Sequence, residues 1–277
     1  MMDKSPAAAD AKSVEEFYVF ATSNTNGNFS IWVLHCTPKI IKLTAGVIGA
    51  EMKMGGVASR PLVDLAFRRF KQQDQSLYGE HNTLTWRHFV ETGLWVLANS
   101  SKSEDDLLEA SSLFLGEHIK YDVWRCQLLL AMADLEGSWM ALAWDMKRSR
   151  LTVFVPGLVD SDGGVITAVR EAVDLIDGAM RTCIAKLFDG WAVQWEKWTR
   201  VFSHDAVRGC KDTLDRRAES GVTCLKFCQT FTGLSHEAYT RDPSTCLKNR
   251  QDLLFDMMNI KQNMGKLPPQ FVQDIDD

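Results

Sequence analysis

The sequence predicts an α+β fold, with strands in the middle of the chain and helices on either side. The first observation is a set of three short apolar runs, at 123–132, 138–145 and 151–155, separated by polar turns. The second is the segment 164–187, whose apolar residues form one stripe at helical spacing. Of the 277 residues, 45% are hydrophobic and 24% are charged, which excludes a disordered, collagen-like or low-complexity chain.

The N-terminal part of the chain mixes strand and helix patterns. Aromatic and β-branched residues predict strands at 14–20 and 29–36. Pro61, with Ser59 as the N-cap, predicts the start of a helix that Gly79 ends. The apolar spacing predicts two further helices, at 86–99 and 103–115.

The three middle runs should form sequential antiparallel strands, because the polar turn at 146–150 is too short for a parallel crossover. Beyond 187, the patterns predict a strand-like piece at 191–195, a polar loop at 203–217, and helices at 221–231 and 243–260. The chain is therefore divided into a disordered tail at 1–13, an N-terminal α/β extension at 14–117, a core at 118–262 and a disordered acidic tail at 263–277.

Charge and targeting features narrow the function classes. The net charge of −5 gives no basic excess for nucleic acid or an anionic membrane. The start of the chain lacks an apolar signal sequence, and the longest apolar stretches are too short to span a bilayer. We therefore expect a soluble, intracellular protein that binds neither membrane nor nucleic acid.

Motifs for cofactors and metals are missing as well. The sequence has no dinucleotide-binding, phosphate-loop or nucleophile-elbow motif, so we expect no cofactor. Of the seven cysteines, Cys224 and Cys228 would share one face of a helix. No second Cys or His pair at matching spacing completes a zinc site, so core packing is favoured over metal binding.

One ordered series of motifs resembles a known family. The series runs Gly137-Ser138-Trp139, Trp144-Asp145-Met146-Lys147-Arg148, Leu151-Thr-Val-Phe-Val-Pro156, Glu219-Ser220-Gly221-Val222 and Leu225-Lys226-Phe227. In that order it resembles the catalytic core of Ulp1-like cysteine proteases, which cleave SUMO and related ubiquitin-like modifiers. The upstream part, through Trp86-Arg87-His88-Phe89, resembles divergent plant copies. The resemblance implies a Ulp1-like fold with a central mixed sheet packed by helices and a helix-rich N-terminal extension.

The catalytic positions depart from the family pattern. Ser138 stands where the resemblance implies a histidine, Val155 stands 17 residues on where it implies an aspartate, and Ser220 stands at the cysteine position. The window 214–217 also lacks the glutamine of the oxyanion hole. A serine nucleophile needs a base, and neither Ser138 nor Val155 can supply or orient one. We therefore expect that no catalytic site is intact.

The favoured function is a catalytically inactive homologue that acts, if at all, as a protein-binding module. Its implied partner is a ubiquitin-like modifier or its conjugates, with Trp139 near the former cleft as a contact residue. A nuclear location is implied by the resemblance alone. If the resemblance holds, Ser138, Val155 and Ser220 should lie within about 10 Å of one another, with Ser220 at a helix N-terminus.

Three alternatives stay open. The chain could be an active cysteine-type peptidase with displaced groups: Cys224 or Cys210 as nucleophile, His204 as base and Asp205 as its orienter. Cys224 would then lie one turn past Ser220, inside a helix, where it lacks the dipole assistance that lowers a thiol pKa. The chain could also be an unrelated α+β domain, or a relic with no selected role.

Overall fold

The computed structural model describes residues 11–23, 29–78, 86–100, 103, 106–156, 163–203, 213–234 and 243–271. The α-helices are α1 (Ala11–Ser23), α2 (Ala45–Met52), α3 (Arg60–Tyr78), α4 (Gly93–Ser100), α5 (Gly163–Leu187), α6 (Thr213–Thr230) and α7 (Pro243–Met258). The strands are β1 (Ile31–His35), β2 (Ile41–Thr44), β3 (Arg87–Val90), β4 (Leu128–Leu135), β5 (Ser138–Asp145), β6 (Arg150–Phe154) and β7 (Thr199–Ser203). Short 3₁₀ turns occupy Asp106–Leu113, Val123–Arg125, Trp195–Lys197 and Pro269–Phe271.

The central sheet is mixed, in the order β3-β4-β5-β6-β7. Strands β4, β5 and β6 are antiparallel neighbours, while β3 and β7 are parallel to the strands they flank. The predicted hairpin across the polar turn is confirmed, because Ala141 pairs with Phe154 and Asp145 with Arg150. Strands β1 and β2 form a separate antiparallel pair. The predicted α+β class is thus confirmed.

Both faces of the central sheet are buried, which explains why β4 and β5 are apolar almost throughout. Alternation along β5 separates the faces. Trp139 and Ala141 belong to the core that also holds α1, α3, α6 and α7. Met140 and Leu142 belong to a second core beneath α4 and α5. The functional positions on β5 therefore sit between two packed layers.

Several secondary-structure predictions were wrong. Segment 14–20 lies in α1, because Phe17, Tyr18 and Ala21 bury one helical face. Segment 86–99 divides into β3 and α4, because pairing with β4 draws its first residues into the sheet. β7 was missed, and segment 191–195 is not a strand. Tertiary pairing overrides local preference in short segments.

The predicted disordered tails stay a prediction, and each overlaps residues that the structure describes. Residues 11–13 begin α1, and the structure describes the chain beyond 262 as far as Phe271. The amides of Met264 and Lys266 donate to the carbonyls of Leu34 and Ile31, so this segment lies along β1. The ring of Phe271 lies 4.8 Å from that of Phe17. Because these contacts bury apolar surface, the C-terminal segment is held against the core.

The proposed boundary at residue 118 stays a prediction. β3, from the N-terminal side of that boundary, is a strand of the central sheet, and one apolar core runs from Phe17 to Ile260. In the described part of the chain, no helix has the length and apolarity needed to cross a membrane.

Candidate functional site

On the edge that faces β6, the first residues of β5 form hydrogen bonds with α6 instead of with β6. β6 pairs with β5 only from Ala141 onwards. The amide of Trp139 donates to Ser220 Oγ at 2.9 Å, and Cys224 Sγ donates to the carbonyl of Trp139 at 3.4 Å. These two bonds satisfy main-chain groups that would otherwise be buried without partners. Because Ser138 directly precedes Trp139, the structure brings Ser138 and Ser220 together.

Ser220 is a buried junction between the two elements. Its side chain is 1% exposed, and Oγ donates to the carbonyl of Arg217 at 2.7 Å while accepting from the amide of Trp139. The single hydroxyl proton is therefore already committed to a carbonyl. Neither partner is a base that could remove it.

The position of Ser220 within α6 differs from the prediction. We expected a helix N-terminus, but α6 begins at Thr213, so Ser220 is its eighth residue. The intervening residues include Arg, Ala and Glu, which favour helix and extend it backwards. Only the first four amides of a helix lack internal partners. The amide of Ser220 lies beyond them, where it cannot serve a developing oxyanion and where the dipole has little effect on a thiol.

Val155 lies on the strand next to the start of β5. It directly follows β6, and its amide donates to the carbonyl of Ser203 at 3.1 Å. Because Ala141 pairs with Phe154, Val155 follows at the level of Met140, two residues along β5 from Ser138. Its side chain is 8% exposed and belongs to the apolar core beneath α5. A hydrocarbon side chain there can neither accept a proton nor orient a base.

Trp139 is closed off by the connection between α2 and α3. The side chain is 2% exposed, and its indole Nε1 donates to the carbonyl of Ala58 at 3.0 Å. A contact between Trp139 and a modifier stays a prediction. It would require the segment that carries Ala58 to move.

Gly221 allows α6 to pack closely at this point. A Cβ atom at this position would lie 2.8 Å from Ala58 Cβ and 3.0 Å from Trp139 Cδ1. Both distances are shorter than ordinary carbon contacts, so any side chain would push the three elements apart. The Trp139 and Gly221 positions of the family resemblance thus form one packing contact.

We predict that Gly221→Ala lowers the free energy of unfolding by about 1–3 kcal/mol, because overpacking costs more than the gain in helix propensity. Chemical denaturation monitored by circular dichroism measures the change. Gly178→Ala in α5 is the matched control, since a Cβ atom there meets nothing within 4 Å. The control should gain roughly 0.5–1 kcal/mol, as expected for Gly→Ala in a helix. Equal effects at the two positions would contradict the close-packing argument.

A buried ion pair lies beside Ser220, and sequence analysis missed it. Arg250 Nη2 donates to Glu219 Oε1 at 2.8 Å and to the carbonyls of Gly56 and Ala218 at 3.1 and 3.0 Å. Nη1 donates to the carbonyl of Glu51 at 3.1 Å. These bonds tie α7 to α6, to α2 and to the connection between α2 and α3. One signal could have revealed it: Arg250 falls on the apolar stripe of α7, four residues after Cys246 and four before Leu254.

The displaced-nucleophile alternative involves four residues, of which the structure describes Cys224. Cys210, His204 and Asp205 lie outside the described residues. Cys224 is fully buried in the interior of α6, and its thiol donates to the carbonyl of Trp139. One turn further on, burial raises the pKa of the Cys228 thiol above its ordinary value. Among the described residues, no group of His, Cys, Asp and Glu side chains is arranged to hold a metal ion.

The chain has the fold of Ulp1-like SUMO protease domains. The SUMO protease Ulp1 with its catalytic cysteine oxidised to a sulfenic acid matches with a TM-score of 0.56 and 8% identity, over 90% of this chain and 94% of that chain. The C-terminal Ulp1 protease domain in complex with Smt3, the yeast ortholog of SUMO, matches with a TM-score of 0.58 and 7% identity, over 90% and 95%. The Chaetomium thermophilum Ulp1-like SUMO protease catalytic domain matches with a TM-score of 0.57 and 11% identity, over 91% and 90%. No protein-family model and no curated protein sequence matches the chain.

Proposed function

We propose that this chain is a catalytically inactive homologue of ubiquitin-like-protein-specific cysteine proteases and that it acts as a protein-binding module. One observation carries the proposal: Ser220, at the nucleophile position, is buried in the middle of α6 with its hydroxyl bonded to the backbone of Arg217 and Trp139. The group that would attack a substrate serves instead to join a helix to a sheet.

The surrounding positions support the same conclusion. Acyl transfer by a thiol or hydroxyl needs a base, a group that orients the base, and donors for the oxyanion. Ser138 and Val155 offer neither base nor orienter, and the amide of Ser220 is inside the helix. Loss of one triad member alone costs on the order of 10⁴ in rate.

The partner we propose is a ubiquitin-like modifier or its conjugates. Support comes from the fold, because one of the similar structures is a protease domain in complex with Smt3. We also propose a nuclear location, which the family resemblance alone implies.

The experiment combines catalysis with binding. Purified protein should release fluorophore from the C-terminus of SUMO-type or ubiquitin-type substrates at a rate at least about 10⁴-fold below that of an active Ulp1-like protease assayed alongside. This factor is the order expected for loss of one triad member. An electrophilic ubiquitin-like probe should form no adduct. Titration of isotope-labelled SUMO-type protein with the chain should give saturable shifts in its NMR spectrum.

Two results would contradict the proposal. Turnover that is abolished by Cys224→Ala or Cys210→Ala, but kept in Ser220→Ala, would favour the displaced-nucleophile peptidase. The absence of saturable shifts with every modifier tested would remove the binding role. The Ser220→Ala protein should show the same background rate of fluorophore release as the unmutated protein. We expect this substitution to change only the free energy of unfolding.

A further inference from the structure

Three buried side chains join the turn end of the β1–β2 hairpin to α3 and to the connection between β3 and α4. They are His35, Arg68 and Glu91, and we refer to them as the clasp. Arg68 Nε and Nη2 donate to the two carboxylate oxygens of Glu91 at 2.9 and 3.0 Å. Arg68 Nη1 lies 3.0 Å from His35 Nδ1. The guanidinium group is thus held between a carboxylate and an imidazole ring.

The direction of the Arg68–His35 hydrogen bond fixes the protonation of the ring. A guanidinium group can only donate, and it stays charged in proteins. His35 Nδ1 therefore accepts from Arg68 Nη1 and carries no proton, so the proton of the neutral ring is on Nε2. A protonated ring would carry a hydrogen on Nδ1 as well, and two donors would then face each other. The clasp therefore requires neutral His35.

The groups around His35 do not compensate a positive charge on its ring. Arg68, on α3, is itself a cation, and Glu91 already binds Arg68 with both of its oxygens. Burial, followed by the Arg68 charge, lowers the pKa of His35 from its ordinary value. Glu91 and the backbone of Thr37 and Lys261 oppose this shift without reversing it. A proton on His35 is therefore less favourable in the clasp than in water.

Two chain segments meet at the imidazole end of the clasp. The first is the connection between β1 and β2, where the carbonyl of Lys39 accepts from Arg68 Nη1 at 2.8 Å. The second is the segment after α7, where the amide of Met264 donates to the carbonyl of Leu34 at 2.9 Å. The side chains of Lys39 and Cys36 on the connection are exposed, so their own titration takes place in water.

We propose that the clasp is a proton-sensitive device: a proton on His35 removes the bond from Arg68 and loosens the connection between β1 and β2, together with the segment after α7, from α3. The change is local, because Trp32 and Leu43 hold the rest of the hairpin in the apolar core. Neither the site around Ser220 nor the proposed function enters this device, so each can fail without the other.

The sign of the pH dependence follows from the lowered pKa of His35. The open state binds the proton more readily than the clasped state, so acid favours opening. The equilibrium constant for opening should rise about tenfold for each pH unit below about 6.5, until the pKa of the clasped ring is reached. Asp64, on the preceding turn of α3, titrates nearby, because burial raises its pKa to about 7. Its oxygens accept from Thr92, outside the segments that loosen, so Asp64 affects global unfolding, and in the opposite direction.

NMR of the unmutated chain tests the protonation of the clasp directly. Long-range correlations between ring hydrogens and ring nitrogens show which nitrogen of His35 carries the proton. At about pH 8 we expect Nδ1 without a proton and Nε2 with one, and the ring should titrate with a midpoint below about 6.5. A proton on Nδ1 at that pH, or a midpoint above about 6.5, would overturn the proposal.

Amide hydrogen exchange measures the opening. The protection factors of the Leu34 and Met264 amides should fall about tenfold for each pH unit below about 6.5, without a parallel fall at residues 222–228 of α6. In His35→Asn, the amide oxygen can accept from Arg68 in place of Nδ1 and takes no proton, so this pH dependence should disappear. His118→Asn is the matched control: it removes another histidine whose pKa burial lowers, and it should keep the pH dependence.

Three exchange results would contradict the clasp. The first is protection of the Leu34 and Met264 amides that stays constant between about pH 7 and pH 5. The second is a fall in parallel with the α6 amides, which would make the opening global. The third is a pH dependence that survives His35→Asn. If that variant does not fold, the ring protonation and the exchange of the unmutated chain still decide the outcome.

Discussion

Arg250→Met is expected to lower the free energy of unfolding by about 3–5 kcal/mol, because removal of one partner leaves a buried charge uncompensated. Arg250 is fully buried and Glu219 nearly so. Methionine keeps much of the apolar volume but none of the four donated bonds. For a chain of this size the melting temperature should fall by roughly 6–20 °C.

Thermal and chemical denaturation, each followed by circular dichroism, measure this loss. Lys248→Met is the matched control: it removes a cation from an exposed position of the same helix and should change stability by less than about 0.5 kcal/mol. Adding Glu219→Gln to Arg250→Met should recover part of the loss, since no buried carboxylate then remains. If Arg250→Met and Lys248→Met cost the same, the buried pair is not the link between α6, α7 and the connection of α2 to α3.

The second large expected effect concerns the attempt to restore catalysis. The triple variant Ser138→His, Val155→Asp and Ser220→Cys should still cleave ubiquitin-like substrates at least 10⁴-fold more slowly than an active Ulp1-like protease, on the scale of a lost triad member. The three substitutions restore the residue types of the triad but do not move position 220 to a helix N-terminus. The thiol at position 220 would sit in a helix interior, without free amides for the oxyanion and without the dipole that lowers a thiol pKa.

Val155→Asp adds a further cost to the triple variant. Val155 is packed in the apolar core beneath α5, where desolvation raises the pKa of a carboxyl group and favours its neutral form. A neutral acid orients an imidazole poorly. Release of a fluorophore from SUMO-type substrates measures activity, and denaturation measures the loss of stability, with the Ser138→His and Ser220→Cys double variant as control. Robust turnover by the triple variant would show that α6 can unwind to present its nucleophile position.

The hairpin of β5 and β6 and the long helix α5 could be predicted from sequence, because each has a strong period and a clear end. The apolar stripe of α5 needs no partner to be recognised, and a short polar turn permits only antiparallel neighbours. The α+β class follows from such segments. The order of the motifs around Ser138, Trp139 and Ser220 also indicated the Ulp1-like fold, which the structural comparisons support.

Tertiary structure decided the short elements and the state of the site. Residues 87–90 have no strong strand period of their own, and β3 exists because β4 offers it a ladder of hydrogen bonds. The residue types at Ser138, Val155 and Ser220 were enough to predict that the catalytic groups are missing. Only packing determined that α6 extends seven residues ahead of Ser220, that its hydroxyl bonds the backbone of Trp139, and that Ala58 covers the indole. Such contacts join residues far apart in the chain, and no local preference encodes them, because they depend on which surfaces the complete fold brings together.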